Sequence, residues 1–478
     1  MTIRLEELPV AVIGAGPVGL AAAAHLAERD MAFVVLEAGS ETAAAVRQWG
    51  HVGLFSPWRY NIDAAARRLL EAAGWDAPDP ERLPTGGQLV DAYLEPLAKL
   101  RAIATHVRYD ARVTALGRLG IDRVRSRGRG DAPFVIRLAD GEELLARAVI
   151  DVSGTWRTPN VLGAGGLPAH GEAAATDRVE HALPDVLGAD RDRFAGVRVL
   201  VVGAGHSAAN TLLSLAALAE QEPETAVTWA VRAGNATRAY GGGDADALPA
   251  RGALGSRLRA HVDSGRITLL TSFSVHAVRA ANGGVEVVSR DAAGAERTVT
   301  VDRIVSATGF RPDHSIGAEL RLDLDPVLGA TRTLAPLIDP NAHSCGTVPP
   351  HGVDELSHPE PGYYAVGMKS YGRAPTFLMA TGYEQVRSVV AALAGDWTAA
   401  RDVQLDLPET GVCSSDLAFA DGEQEQAGGG CCGSAPAVES AGRGLATGIA
   451  GGLLAAPLTL VSVGGEPEGD KAGGCCGS

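Results

Sequence analysis

The first 344 residues contain no cysteine. That gap excludes a Cys-x-x-Cys or Cys-x-x-x-x-Cys redox pair from most of the chain, and with it a dithiol relay of the reductase kind. An excess of positive charge is lacking too. A net charge of −15 leaves no basic patch, which argues against nucleic acid as a partner. The N-terminus shows neither a positively charged lead-in nor a small-residue cleavage site. Its apolar stretch from Pro9 to Leu26 is better explained by three glycines at a regular spacing, so the expected compartment is the cytosol. A second apolar, uncharged stretch, Gly444 to Val463, approaches membrane-spanning length, but its glycines and Pro457 argue against a span. The remaining composition is ordinary: 46% apolar residues over 478 positions, enough for two or three domains.

Two glycine-rich fingerprints stand out. The first is Gly14-Ala15-Gly16-Pro17-Val18-Gly19, after the apolar run Val10 to Ile13. The second is Gly203-Ala204-Gly205-His206-Ser207-Ala208, after Val199 to Val202. Each follows a strand-like run and opens a helix-like stretch, the context a dinucleotide fingerprint requires. In the first, Gly14 permits the turn, Gly16 lets backbone approach a pyrophosphate, and Gly19 lets helix and strand pack closely. The pyrophosphate then meets free N–H groups at the positive end of the helix. The helix from Pro17 to Arg29 carries Ala21 to Ala24, small enough for close packing. The following strand, Ala32 to Leu36, ends in Glu37. An acid about 20 residues beyond the glycines accepts from ribose hydroxyls.

The second fingerprint ends in Ala208, an allowed variant. Its second strand, Ala226 to Val231, ends in Arg232 rather than an acid. A guanidinium binds a 2′-phosphate through charge-assisted bonds where a carboxylate would repel it, so this site is expected to prefer NADPH. Arg238 is a second candidate, and a solvated arginine at a strand end is the plain alternative. His206 falls at a variable position and is given no role.

The order of segments reads as one domain inserted into another, an α/β chain with two nested Rossmann-like dinucleotide-binding domains. Residues 1–165 form the first part of one domain, 190–308 the second domain, and 309–400 a return segment. Residues 401–478 read as a flexible Gly/Cys-rich tail. Expected elements include a helix capped at Thr85 and running to Leu100, strands over His106 to Val113 and Leu144 to Val152, a return strand at Tyr363 to Val366, and a helix over Thr381 to Ala394. The buried strand at Arg303 runs into Ser306-Ala307-Thr308-Gly309-Phe310.

The two fingerprints together with Ser306-Ala307-Thr308-Gly309-Phe310 resemble the two-dinucleotide-binding flavoproteins, and within them the flavin-containing monooxygenase-like group, over about residues 8–395. The resemblance implies FAD at Gly14, Gly16, Gly19 and Glu37, with Val113 near the adenine. It implies NADPH at Gly203, Gly205 and Arg232, with Ser207 and Ala208 completing the turn. The Phe-x-Gly-x-x-x-His signature of some members is missing before the second fingerprint. In this superfamily the return segment borders the flavin ring, which draws attention to Gly367-Met368-Lys369-Ser370-Tyr371-Gly372-Arg373. A cation near the ring's N1 and C2 oxygen stabilises the reduced flavin, and Lys369 and Arg373 are the catalytic candidates. A solvated loop is the alternative. The aromatic segment from Phe55 to Tyr60, with Trp58 at its centre, is a candidate cover for the flavin's other side; the alternative is an aromatic cluster under a loop.

The last four cysteines form two adjacent pairs in near-duplicate settings, Cys431-Cys432 and Cys475-Cys476, each between glycines. An adjacent pair closes only a strained disulfide, so in a reducing compartment it stays a dithiol. Neighbouring soft thiolates suit a thiophilic ion such as trivalent arsenic. An inert or zinc-binding end is the plain alternative. A flexible tail of this length reaches about 40–50 Å, against a radius of gyration of about 21 Å for the folded body. It can visit the active site of its own subunit or, in a homodimer, of its neighbour. With such a tail, the chain resembles the flavin-binding monooxygenases of bacterial arsenic-resistance operons. The expected function is an NADPH- and FAD-dependent monooxygenase acting on a small soft nucleophile. An oxygen-independent reductase using tail thiols, and a non-enzymatic metalloid-binding flavoprotein, are the alternatives.

Overall fold

Apolar runs bounded by glycine turns lay down sixteen strands among the described residues. In the computed structural model these residues are 4–241, 249–342, 348–375 and 377–405, all within one compact unit, Met1–Gly422. The strands are β1 (Val10–Ile13), β2 (Phe33–Leu36), β3 (Val107–Arg108), β4 (Val113–Arg118), β5 (Phe134–Leu138), β6 (Glu143–Ala146), β7 (Ala148–Asp151), β8 (Val179–His181), β9 (Arg198–Val202), β10 (Ala226–Ala230), β11 (Ile267–Leu270), β12 (Val275–Ala281), β13 (Gly284–Arg290), β14 (Glu296–Val301), β15 (Arg303–Ser306) and β16 (Tyr363–Ala365). Two five-stranded parallel sheets result, β16-β7-β1-β2-β3 and β11-β10-β9-β15-β8. Two three-stranded antiparallel sheets, β4-β5-β6 and β12-β13-β14, complete the α/β architecture.

The first sheet takes its last strand, β16, from the return segment, which makes the second domain an insertion. Val10 to Val12 in β1 and Val149 and Ile150 in β7 are fully buried, as expected of parallel strands covered on both faces. The Pro17–Glu28 helix lies on this sheet. Ala21 to Ala24 are all buried, and their small side chains allow the close approach. Thr85 caps its helix as expected. Its hydroxyl accepts from Gln88 N, while Gln88 Oε1 accepts from Thr85 N, a reciprocal capping box.

Two expected strands prove to be composite. The His106–Val113 run breaks at Asp110, whose φ is +54°, into β3 of the parallel sheet and β4 of an antiparallel one. The Leu144–Val152 run breaks at Arg147 into β6 and β7, which belong to different sheets. The change of hydrogen-bonding partner leaves no compositional mark that apolar periodicity can see.

The antiparallel β4–β6 sheet is tied to the return segment by a buried carboxylate. Glu360 accepts from Arg118 Nε at 2.8 Å and from Arg129 Nη2 at 2.7 Å, and Arg321 N donates to it at 3.0 Å. All three side chains are buried. Removing one partner strands two guanidinium groups without compensation. Glu360→Gln is therefore expected to cost about 3–5 kcal/mol of stability, read by chemical denaturation of the FAD-loaded protein; a loss below about 1 kcal/mol would mean that the cluster behaves as an exposed one.

Candidate functional site

At the carboxyl end of β1 the chain turns into the Pro17–Glu28 helix, and three glycines divide the work. Gly14 has φ +112°, and a Cβ there would stand 2.9 Å from Val152 O. A Cβ on Gly19 would come within 2.0 Å of Gly14 O. A Cβ on Gly16 would meet nothing within 4 Å. Gly16 is also the N-cap, and no side chain caps the helix there. Two of the glycines are thus required by the protein's own packing, whereas the third faces open space in front of free N–H groups. That open cradle fits a pyrophosphate.

Glu37 sits beside the cradle. Its two carboxylate oxygens accept from Ala15 N and Gly39 N, each at 2.7 Å. The carboxylate is thereby aimed, and each oxygen keeps a lone pair for a ribose hydroxyl. Ala111 N donates to Glu37 O at 2.8 Å, which brings the chain carrying Val113 alongside. The side chain of Val113 itself packs in the core with Ile13 and Leu36.

The second fingerprint repeats this geometry. Gly203 has φ +136°, and a Cβ would lie 2.2 Å from Ala307 O; Gly205 has open space and caps the His206–Gln221 helix without a side chain. Ala208 is fully buried, and Ser207 lies half-buried in the first turn. Arg232, exposed past the end of β10, donates from Nη1 to Ala164 O at 2.8 Å. That bond anchors the guanidinium and leaves its other N–H groups for an anion. Arg238 is exposed on the short Thr237–Tyr240 helix. His206, given no role from sequence, meets the ring of Phe55 with centroids 5.0 Å apart. Phe55 thus reaches from the first domain to the turn of the second. Trp58, by contrast, is buried in the first domain's core, so its ring serves packing.

The return segment supplies the third wall. Lys369, in the turn Gly367–Tyr371, is buried and not an open cation. Its Nζ donates to Asp151 Oδ2 at 2.6 Å and to Ser153 Oγ at 3.1 Å. Asp151 ends β7 and is fully buried. Its other bonds come from Tyr363 OH at 3.0 Å and Ser153 Oγ at 2.7 Å. Burial pushes the Asp151 carboxyl up, but Lys369 and the Ser153 bonds outweigh it and hold it below the usual carboxylate range. Burial, together with Asp151, drives the Tyr363 phenol up, so it stays a donor. Of this network, Ser153 is exposed, and its Cα lies 3.4 Å from where a Gly14 Cβ would be. A neutralised ion pair therefore backs the first cradle, presenting a hydroxyl to it. Arg373 is exposed, and its side chain joins no part of this network.

The Met379–Leu393 helix starts here as well. Gly367 N donates to Gln385 Oε1 at 2.8 Å, and a Cβ at Gly382 would lie 2.7 Å from Val18. Val18 is in the first turn of the Pro17–Glu28 helix and Gly382 in the first turn of this one, so two helix N-termini converge at one place. Sequence reasoning put Asp151 and Tyr363 in strands and missed the network they form with Ser153, and it missed Gln385; their partners lie far away in the chain. Among the described residues, no group of three or more His, Cys, Asp or Glu is placed to hold a metal. Cys431, Cys432, Cys475 and Cys476 lie outside the described residues, as does Gly444 to Val463. No helix among the described residues is long and apolar enough to cross a membrane.

Two open cradles at the carboxyl ends of two parallel sheets agree with what known proteins show. Residues 11–335, more than half of the chain, match the family model "Pyridine nucleotide-disulphide oxidoreductase". The chain belongs to that family. It is a flavin-dependent oxidoreductase, with FAD and NADPH as its cofactors. The indole-3-pyruvate monooxygenase YUCCA1 of Oryza sativa subsp. japonica is 32% identical over 209 residues, 43% of this chain and 44% of that enzyme; the match thus spans less than half of that relative's length. Among solved structures, the bacillithiol disulfide reductase Bdr (YpdA) of Bacillus cereus gives a TM-score of 0.60 at 17% identity, covering 81% of this chain and 99% of that one. The ornithine hydroxylase PvdA of Pseudomonas aeruginosa gives 0.54 at 17%, with 81% and 99% covered. At these identities the likeness is one of fold.

The glycine geometry separates binding from folding. Gly16→Val adds a side chain to open space, so the apo protein should keep its stability to within about 1 kcal/mol, the scale of an N-cap exchange, yet purify colourless. Gly19→Val meets the backbone and should fail to fold. Equal flavin content in Gly16→Val and wild type would place the pyrophosphate elsewhere.

Proposed function

We propose that this family member is an NADPH-dependent flavin monooxygenase of the cytosol that oxidises a small soft nucleophile: a thiol, an amine or a trivalent arsenical. One observation carries the choice between the chemistries of such flavoproteins. Two dinucleotide cradles are present, yet no cysteine occurs in residues 1–344 to relay electrons from a flavin to a disulfide. The partial similarity to a plant monooxygenase supports the same side.

In this reading Gly14, Gly16 and Gly19 seat the FAD pyrophosphate, and Glu37 accepts from its ribose. Gly203, Gly205, Ser207 and Ala208 seat NADPH, and Arg232 takes its 2′-phosphate. FAD, once bound, accepts hydride from NADPH and passes electrons to oxygen. The protein's part is to hold both dinucleotides, exclude water and fix charge. The Asp151–Lys369 pair does the last: Asp151 keeps the ammonium buried and still, and both fix the Ser153 hydroxyl beside the cradle. Arg373 is the exposed cation on the same segment. Cys431, Cys432, Cys475 and Cys476 collect a soft ion such as trivalent arsenic for the site.

Two measurements test this. With FAD bound, NADPH oxidation should consume dioxygen in proportion once a soft nucleophile is supplied; turnover of a disulfide without oxygen uptake would sink the monooxygenase reading. For the ion, the variant with serine at all four tail cysteines should keep its FAD and lose arsenite binding; unchanged arsenite binding would remove the cysteines from the function.

Coenzyme choice gives a sharper outcome. A charge-assisted bond contributes about 1.5–3 kcal/mol. Arg232→Ala should therefore weaken NADPH binding by about tenfold or more and leave NADH nearly unchanged. Equal loss for both coenzymes would shift the role to Arg238.

A further inference from the structure

A cleft of about 530 Å³ opens where the two domains are joined, lined by Gln48, Arg112, Trp156, Arg157, His181 and Phe310. Its volume lies within the range of small-molecule sites, about 300–1,000 Å³. None of the fingerprint glycines lines it.

One wall is aromatic and fixed. Trp156 and Phe310 stack with centroids 4.9 Å apart and planes at 28°. The Trp156 indole N–H donates to Gln48 Oε1 at 2.7 Å. Both rings stand on the chain segments that cross between the domains, and these segments pair with each other. Asn160 N donates to Gly309 O at 2.9 Å, and Arg311 N to Thr158 O at 3.0 Å. The Thr308 hydroxyl donates to Asn160 O at 3.0 Å. The wall is therefore held before any ligand arrives.

The other wall is cationic. Arg112 and Arg157 are both exposed to the cleft. Neither guanidinium has a hydrogen-bond or ion-pair partner among the described residues. No carboxylate lines the cleft. In a chain of net charge −15, this wall is locally cationic and stands beside the aromatic stack.

We propose that this cleft binds a small planar anion, an aromatic ring bearing a carboxylate, with the ring on the Trp156–Phe310 wall and the carboxylate between Arg112 and Arg157. Guanidinium groups bind carboxylates through two parallel charge-assisted bonds, and stacked aromatic rings accept a further ring at an offset. His181, at the end of β8, adds a ring nitrogen on the second domain's side. A bound anion then bridges Arg112 of the first domain, both crossing segments and β8 of the second, and holds the domains in this setting. The proposal does not depend on which substrate the flavin oxidises.

The test is titration calorimetry on the FAD-loaded, full-length protein with benzoate, and with benzyl alcohol as its uncharged counterpart. Benzoate should bind, and benzyl alcohol should bind at least about tenfold more weakly, the size of one charge-assisted contact. Arg112→Gln and Arg157→Gln should each weaken benzoate by about tenfold or more, with FAD content unchanged. Trp156→Leu should weaken both probes. No benzoate binding by the holoenzyme, or wild-type affinity for benzoate in both arginine variants, would overturn the proposal. Loss of FAD from those variants would overturn it too, by assigning the arginines to the flavin's own cradle.

Discussion

The architecture rests on backbone meeting backbone at two turns. At Gly19 the Pro17–Glu28 helix runs so close to β1 that a single methyl group would collide with the Gly14 carbonyl; at Gly203 the same collision would be with the Ala307 carbonyl. In each turn the close contact draws a helix N-terminus over the carboxyl end of a parallel sheet. In each, the middle glycine is left facing space. Fold and function thus share one local device but place separate demands on its glycines. The outer ones answer to packing, and the middle one leaves space in front of the helix.

That division explains what was legible from sequence. The two glycine turns, the place of Glu37 beside the first and the place of Arg232 past β10 could be read because each lies within one strand–turn–helix unit, where spacing fixes geometry. Lys369 was legible only as a charge. Its partner Asp151 is 218 positions away and ends an ordinary apolar strand, so nothing local announces that the two form a buried pair. The structure replaces an exposed cation by a neutralised one. Trp58 makes the complementary point: an aromatic residue in a loop is equally consistent with lining a site and with filling a core, and here the core claims it. The breaks at Asp110 and Arg147 were hidden for a related reason. The sheet changes at each while the composition of the run does not.

The Asp151–Lys369 pair is what the domain insertion makes possible. Asp151 closes β7 just before the chain leaves the first sheet, and Lys369 follows β16, the strand that rejoins that sheet. Tyr363 on β16 donates to the same carboxylate, so both sides of the insertion meet on one buried group. A buried pair of this kind adds little net stability over apolar packing. What it adds is specificity: a return strand in the wrong register would leave a carboxylate and an ammonium buried apart. The register of β16 is thereby tied to the electrostatics beside the first cradle.

The crossing segments meet the opposite demand. They must join two domains without fusing their cores, and they do so with a few hydrogen bonds and one aromatic stack, not with a shared hydrophobic interior. The main cores remain separate clusters. Phe55, packed against the second cluster from the first domain, is a small exception. Few apolar contacts therefore hold the two cradles in relation to each other, and polar contacts at the crossing segments carry correspondingly more of that task. Because polar contacts exchange readily with water, the relative setting of the domains costs little to alter.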